Sequence, residues 1–269
     1  MEDLVLYIKK SIMRKYSGVS LKARMQTLLN KHNNQTFSRF KPCIISLKSK
    51  EIIQYLNSTK CVGPAEKITQ FKNYNDILLS VSNSCYSRFN PSMIYTFNDE
   101  IHMVFYNTSD YPDHYDGNIN KTLTTMSSYA SILFTKEFIK RNIDFDFTIN
   151  AKYAEFNKEY ETLNYLVWRQ HDCKRNNIIT LYKYFNKDVT GISLDDITQR
   201  LFHNLKDINI IYENIEFLMH GNILKKELVY IQTNDQINLL CRKELNISHT
   251  LFHKNFTENL RKYILNTHL

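Results

Sequence analysis

The chain has 269 residues, 43% of them hydrophobic and 13% aromatic. That is enough for a sizeable core and too apolar for a disordered chain. No run of eighteen apolar residues occurs, which excludes a membrane-spanning helix; the opening Met1-Glu2-Asp3-Leu4 lacks the charge order of a secretory signal, so a cytoplasmic location is expected. The net charge is +8 and the five cysteines include no Cys-x-x-Cys pair, which disfavours a disulfide framework or a zinc knuckle.

The basic charge is concentrated at the start. Residues 1–50 carry Lys9, Lys10, Arg14, Lys15, Lys22, Arg24, Lys31, Arg39, Lys41, Lys48 and Lys50 against only Glu2 and Asp3. Such an arm (residues 1–42) suits a polyanion such as RNA, although a solvated face would give the same pattern. Cys43-Ile44-Ile45-Ser46-Leu47 then reads as a buried strand. A helix is expected from Pro64 to about Ser82, with proline in its first turn. Ile94–Phe97 and Ile101–Tyr106 flank the polar Asn98-Asp99-Glu100 and read as a hairpin, with Ile101, Met103 and Phe105 on one face.

Ile119, Leu123, Met126, Ala130, Leu133 and Phe138 recur at helical spacing, and Phe145 to Ile149 reads as a further strand. The order strand, helix, strand, strand, helix, strand is a ferredoxin-like βαββαβ arrangement, an α/β (α+β) core of the kind found in polymerase palms. This core is placed at residues 43–155. A helical C-terminal extension, 156–269, is expected to pack on it. It begins with a helix from about Glu159 to Phe185, on which Asp172 and Arg175 could form a surface pair one turn apart. Leu228–Ile231 reads as a possible strand and the tail from Asn246 as helical. Only five glycines are present, with no Gly-x-Gly-x-x-Gly turn and no phosphate-binding P-loop.

The segment Trp168-Arg169-Gln170-His171-Asp172-Cys173-Lys174-Arg175-Asn176, followed by Asn177, resembles the Trp-Arg-Gln-x-Asp-x-x-x-Asn segment of the tRNA-His guanylyltransferases and their 3′-to-5′ polymerase-like branch. Asn98-Asp99-Glu100 matches the two carboxylates, though not the serine, of that family's hairpin Ser-Asp-Glu. Lys121 before Thr124-Thr125-Met126-Ser127-Ser128, Phe145-Asp146 opening the last palm strand, and His220-Gly221 in place of Arg-Gly fit in order.

The resemblance implies a nucleotidyltransferase that adds nucleotides to the 5′ end of tRNA, with GTP or ATP as substrate. It implies two Mg²⁺ ions, which bridge the attacking and leaving oxygens. Asp99 and Glu100 would be the catalytic carboxylates and Asp99 a metal ligand. Lys48, Lys60, Lys121, Arg169, Asp172, Asn176, Asn177 and His220 would contact nucleotide or RNA. A homo-oligomer is also implied.

One departure bears on the chemistry. The family's first strand ends in Arg-Leu-Asp-Gly, whose aspartate binds the metals; here the stretch is Ser46-Leu47-Lys48-Ser49. Lysine in place of aspartate reverses the local charge. Glu51, three residues on, is a conceivable substitute ligand. Two readings follow: an active nucleotidyltransferase with a remodelled metal site, or a catalytically impaired relative that binds RNA or nucleotide without transfer.

If the arm binds phosphate electrostatically, deleting residues 1–40 should flatten the dependence of tRNA affinity on salt concentration, because fewer counterions are released. Equal slopes for the full and shortened chains across a salt series would remove the arm from the binding account.

Overall fold

A computed structural model describes residues 20–30, 38, 41–59, 61, 63–105, 118–185, 188–208, 210–229 and 242–248. Its centre is a six-stranded sheet of order β4-β1-β3-β2-β5-β6, antiparallel at every pairing. The strands are β1 (Cys43–Lys48), β2 (Met93–Phe97), β3 (Glu100–Phe105), β4 (Asn150–Glu155), β5 (Asn222–Val229) and β6 (Arg242–Ser248). The first four give the expected split βαββαβ order.

Strand periodicity divides the apolar side chains between two cores. Cys43, Ile45, Leu47, Ile94, Ile101, Met103 and Phe105 face one way, onto helices α2 (Lys50–Ser58), α3 (Pro64–Phe89) and α4 (Ile119–Lys140). Ile44, Met93, Tyr95, Phe97 and Val104 face the other, onto α1 (Leu21–Asn30) and the first half of α5 (Glu159–Phe185). The second half of α5 packs with α6 (Leu194–Asp207), a 3₁₀ turn (Tyr212–Ile215) and α7 (Glu216–His220), and joins the first core through Ile178, Leu181 and Tyr182. No helix among the described residues is long and apolar enough to cross a membrane.

Local chemistry explains the element ends. α3 starts on Pro64, whose missing N–H would be unpaired there in any case. It runs past Ser82 to Phe89 and stops at Asn90, which takes the left-handed conformation (φ 47°) just before Pro91. The β2–β3 turn places Asn98 at φ 47°, where asparagine is among the better tolerated residues.

Three expectations are corrected. Residues 143–149 form no strand; β4 begins at Asn150. The reason is register: β4 pairs with β1 from Lys48–Asn150 to Cys43–Glu155, so β1 offers no partner for 145–149. The exposure nonetheless alternates along 143–150, because Phe145 and Phe147 pack against Phe138 and Phe145 stacks on Tyr55 at 4.5 Å. Phe145-Asp146 therefore lies ahead of the last palm strand rather than opening it.

Second, a boundary at residue 155 does not separate sheet from extension, because β5 pairs with β2 through Ile94–Leu224 to Thr96–Asn222. The strand expected at 228–231 starts at Asn222, and Asn246 lies in β6 rather than in a helix. The tail beyond Ser248 is outside the described residues.

Third, the basic arm is not wholly a free segment. α1 packs on β4 and α5, Met25 is fully buried, and Arg24 pairs with Glu161 at 3.0 Å. Lys41 pairs with Glu155 at 2.9 Å. A deletion that tests the arm should end before Ser20.

Gly221 joins α7 to β5 at φ 71°, and a Cβ there would meet the Tyr95 hydroxyl at 2.8 Å and the Thr96 carbonyl at 2.9 Å. Left-handed backbone and close approach both call for glycine. Gly221→Ala should cost roughly 2–4 kcal/mol, read as a lower denaturation midpoint. An unchanged midpoint would contradict this packing.

Candidate functional site

The site forms where three elements end together. The two-residue turn Asn98-Asp99 brings Asp99 beside the end of β1, where the Ser49 amide donates to the Asp99 carbonyl at 3.3 Å. Antiparallel register sets Lys48 opposite Glu100 on one face. The Lys48 ammonium lies 2.5 Å from Glu100 Oε1 and 3.8 Å from Asp99 Oδ2.

From the helix above, the Arg169 guanidinium reaches Glu100 Oε2 at 2.8 Å and Oε1 at 3.0 Å, and also holds Asp172 at 3.0 Å. It is sandwiched by the Trp168 and Phe97 rings, whose centroids lie 4.6 and 5.2 Å away, positions suited to cation–π attraction. On β3, two residues from Glu100 and so on the same face, His102 Nε2 lies 2.8 Å from Glu100 Oε2. Its Nδ1 lies 3.1 Å from the Tyr165 hydroxyl. A carboxylate can only accept, so Nε2–H donates to Glu100 and Nδ1 accepts from Tyr165.

Charge states follow from these contacts. Burial alone would raise the Glu100 carboxyl, but the hydrogen bond from His102 and the positive charges of Arg169 and Lys48 outweigh it and hold it well below the usual range. Burial lowers the His102 imidazole, and the hydrogen bond and charge of Glu100, which act upward, do not offset it. Asp99 is pushed up to about 6, by burial first and then by the Glu100 charge, against the pull of Lys48. For Lys48 burial acts downward, but the charges of Glu100 and Asp99 win and raise it.

The structure thus brings Lys48, Asp99, Glu100, Arg169 and Asp172 together. Asp172 pairs with Arg169 rather than with Arg175, which is exposed. Other expected residues are placed differently. Asn177 is buried and donates to the Leu218 carbonyl at 2.6 Å, fastening α7 to α5; it is committed to packing. The His220 carbonyl accepts from Tyr95 and Gln170, and its ring meets the Tyr212 hydroxyl at 2.6 Å. Asn176 is exposed on α5 and Lys121 on the first turn of α4. Lys60 lies outside the described residues. Glu51 accepts from the Ser49 hydroxyl at 3.0 Å and the Thr148 amide at 3.4 Å, close to the N-terminus of α2.

Sequence reasoning missed His102, Tyr165 and Tyr74. The first two had a signal: Glu100 and His102 share a parity on an otherwise apolar strand, and Tyr165 stands one turn before Arg169. The Tyr74 hydroxyl is buried without a hydrogen-bond partner, as is Asp99 Oδ2. The Asp99 charge reaches that phenol, adding to the effect of burial and raising it.

The residues present do not fit a magnesium ion. Both Glu100 oxygens are each contacted by two donors, which uses the acceptor capacity of the carboxylate. Asp99 Oδ2 is buried without a hydrogen bond, and the ammonium lies 3.8 Å from it. Among the described residues no group of three His, Cys, Asp or Glu could hold a metal ion. At about 4 Å and an effective dielectric of about 20, an ammonium opposes a divalent ion by roughly 8 kcal/mol.

The sheet order, with paired acids on its central hairpin and the arginine-bearing helix above them, defines a palm-type fold. The particular likeness is to tRNA(His) guanylyltransferase-like proteins. A bacterial one in complex with ATP aligns over 91% of this chain and 97% of its own, at TM-score 0.62 and 17% identity. One in complex with GTP aligns over 92% and 98%, at TM-score 0.61 and 16% identity. The tRNA(His) guanylyltransferase of Saccharomyces cerevisiae aligns over 77% of this chain and 96% of its own, at TM-score 0.55 and 13% identity. In sequence, the uncharacterized protein R259 of Acanthamoeba polyphaga mimivirus is 26% identical over 172 residues; the match spans 53% of this chain and 58% of that protein. No family model matches. The resemblance read from the sequence is met at the level of fold.

Asp99 makes a pH test possible. Its folded value, about 6, stands above the ordinary 3.8. Its favourable contribution to folding is therefore complete below about pH 4 and lost as pH rises through about 6. Asp99→Asn should remove that loss, gaining up to roughly 3 kcal/mol over the natural protein between pH 4 and 7. Parallel stability curves for the two proteins across that window would show that Asp99 is not held as described.

Proposed function

We propose that this chain is a divergent relative of the tRNA-His guanylyltransferases that binds a nucleoside triphosphate and an RNA 5′ end beside the β2–β3 hairpin, without magnesium-dependent nucleotide transfer. The observation that carries the family reading is the Arg169–Glu100 pair. It joins the start of the Trp168–Asn177 segment to Glu100, next to the Asn98-Asp99 turn, within a fold whose bacterial examples are in complex with ATP and with GTP.

The other reading is an active enzyme adding nucleotides 3′-to-5′ to tRNA. It requires two metal ions between attacking and leaving oxygens. Lys48 beside Asp99, and the fully engaged Glu100, favour binding without that step. Lys48 and Arg169 would then supply positive charge to the triphosphate, with Asp172 orienting Arg169. Lys121, Asn176 and the basic arm would meet RNA.

The test pairs binding with transfer. GTP, ATP and 5′-truncated tRNA are titrated by calorimetry, and labelled GTP is then incubated with that tRNA and Mg²⁺. Both ligands should bind, Arg169→Ala should weaken nucleotide binding at least tenfold, and transfer should stay at the protein-free level. Transfer that Asp99→Ala abolishes would establish the active reading instead. Binding of neither ligand would sink the proposal.

A further inference from the structure

The exposures within the site are unequal. The side chains of Asp99 and Glu100 are each 6% exposed, Arg169 9% and His102 2%, while Lys48 is 47% exposed. Lys48 is thus the solvent-facing member of the cluster, and the two acids beside it are buried.

Its geometry is that of a counter-ion held in place. The ammonium contacts Glu100 at 2.5 Å and lies 3.8 Å from Asp99. The backbone fixes it there, because Lys48 is the last residue of β1 and pairs in register with Glu100 on one side and Asn150 on the other. An ammonium has three donors. With one directed at Glu100 and half of the side chain open, donor capacity remains on the solvent side for a phosphate oxygen.

We infer that Lys48 is a resident cation that takes the place of a divalent metal, so that the site excludes metal at Asp99–Glu100 and takes the polyphosphate of a nucleotide in its metal-free form. The polyphosphate half rests on the nucleotide reading above; the exclusion of metal does not. A fixed monovalent cation neutralises less charge than two magnesium ions, but it needs no free metal. Arg169, buried behind Glu100, adds a second fixed positive charge.

The experiment has two arms on the full chain. In the first, Mn²⁺ is titrated and followed by electron paramagnetic resonance, without nucleotide. The natural protein should show no specific site at millimolar Mn²⁺. Lys48→Asp should gain one site per chain, and Lys48→Asp with Asp99→Asn should lose it. A stoichiometric Mn²⁺ site in the natural protein that Asp99→Asn removes would overturn the inference, as would failure of a folded Lys48→Asp to gain one.

In the second arm, ATP is titrated in EDTA and in Mg²⁺. The two affinities should agree within about threefold, and Lys48→Gln, which keeps a polar side chain one atom shorter and loses its charge, should weaken EDTA binding about tenfold. This arm also serves if Lys48→Asp does not fold. Binding seen only with Mg²⁺, or unaffected by Lys48→Gln, overturns the polyphosphate half. No ATP binding in either condition, with the Mn²⁺ arm as expected, overturns the nucleotide reading and leaves the metal exclusion standing.

Discussion

The Glu100 carboxylate is the hub on which the site depends. It is nearly inaccessible to solvent, and a buried carboxylate survives as an anion only when its lone pairs are met by donors and its charge by opposite charge. Lys48, Arg169 and His102 meet both needs. Each comes from a different place: Lys48 from β1, His102 from β3 itself, and Arg169 from α5. One side chain therefore fixes where the first strand ends, which way the histidine faces, and how the long helix lies over the sheet. Removing Arg169 would leave the Glu100 charge uncompensated in a poorly hydrated place, with a cost of about 3–5 kcal/mol for a broken buried pair; Lys48, half open to solvent, contributes less.

The same hub enforces strand register. A one-residue slip of β1 against β3 would turn Lys48 to the opposite face, into the apolar layer of Ile45, Leu47, Ile101 and Met103. Hydrophobic pattern alone specifies which face of β1 is buried least clearly here, since five of its six residues are buried. Apolar residues on both faces leave a slip less costly, and the Lys48–Glu100 pair restores the difference. Tyr165 extends the arrangement, because its hydroxyl holds the His102 ring and its own ring meets Trp168 edge-on at 5.5 Å, next to Arg169.

Much of this was legible in the sequence, and the exceptions have physical reasons. β1, the hairpin, α4 and α5 announced themselves by period and turn chemistry, and Trp168, Arg169 and Asp172 were placed on the correct helix. The strand at 145–149 was misplaced because an aromatic cluster over Phe138 imitates strand alternation; only the length of β1 reveals that nothing pairs there. β5 was shifted because its strand opens with Asn222, a buried residue made acceptable by reciprocal amide bonds to Asn75, which lies 147 positions away in the chain. Spacing allowed Asp172 a surface pair with Arg175, whereas Arg169, three residues the other way, is the one it contacts. Asn177 belonged to a segment match and turned out to serve helix packing. Spacing identifies what a side chain can reach, but burial decides what it must reach.

The Asp99-Glu100 pair shows where motif reading and structure part. In sequence the two acids read as one catalytic unit, adjacent and on the central hairpin. In space they differ in kind. Glu100 points into the sheet–helix layer, is fully engaged, and stays ionised because three groups hold it so. Asp99 sits on the turn with one oxygen free of hydrogen bonds and a carboxyl whose affinity for a proton is raised. A role for Glu100 in holding β1, β3 and α5 together exists whether or not any nucleotide is transferred, so its presence carries no weight for catalysis. The weight rests on Asp99, and there the decisive neighbour is Lys48. An architecture whose organising charge is structural can keep its shape whatever the sign of the residue at the end of its first strand, so the likeness in fold carries no statement about metal binding.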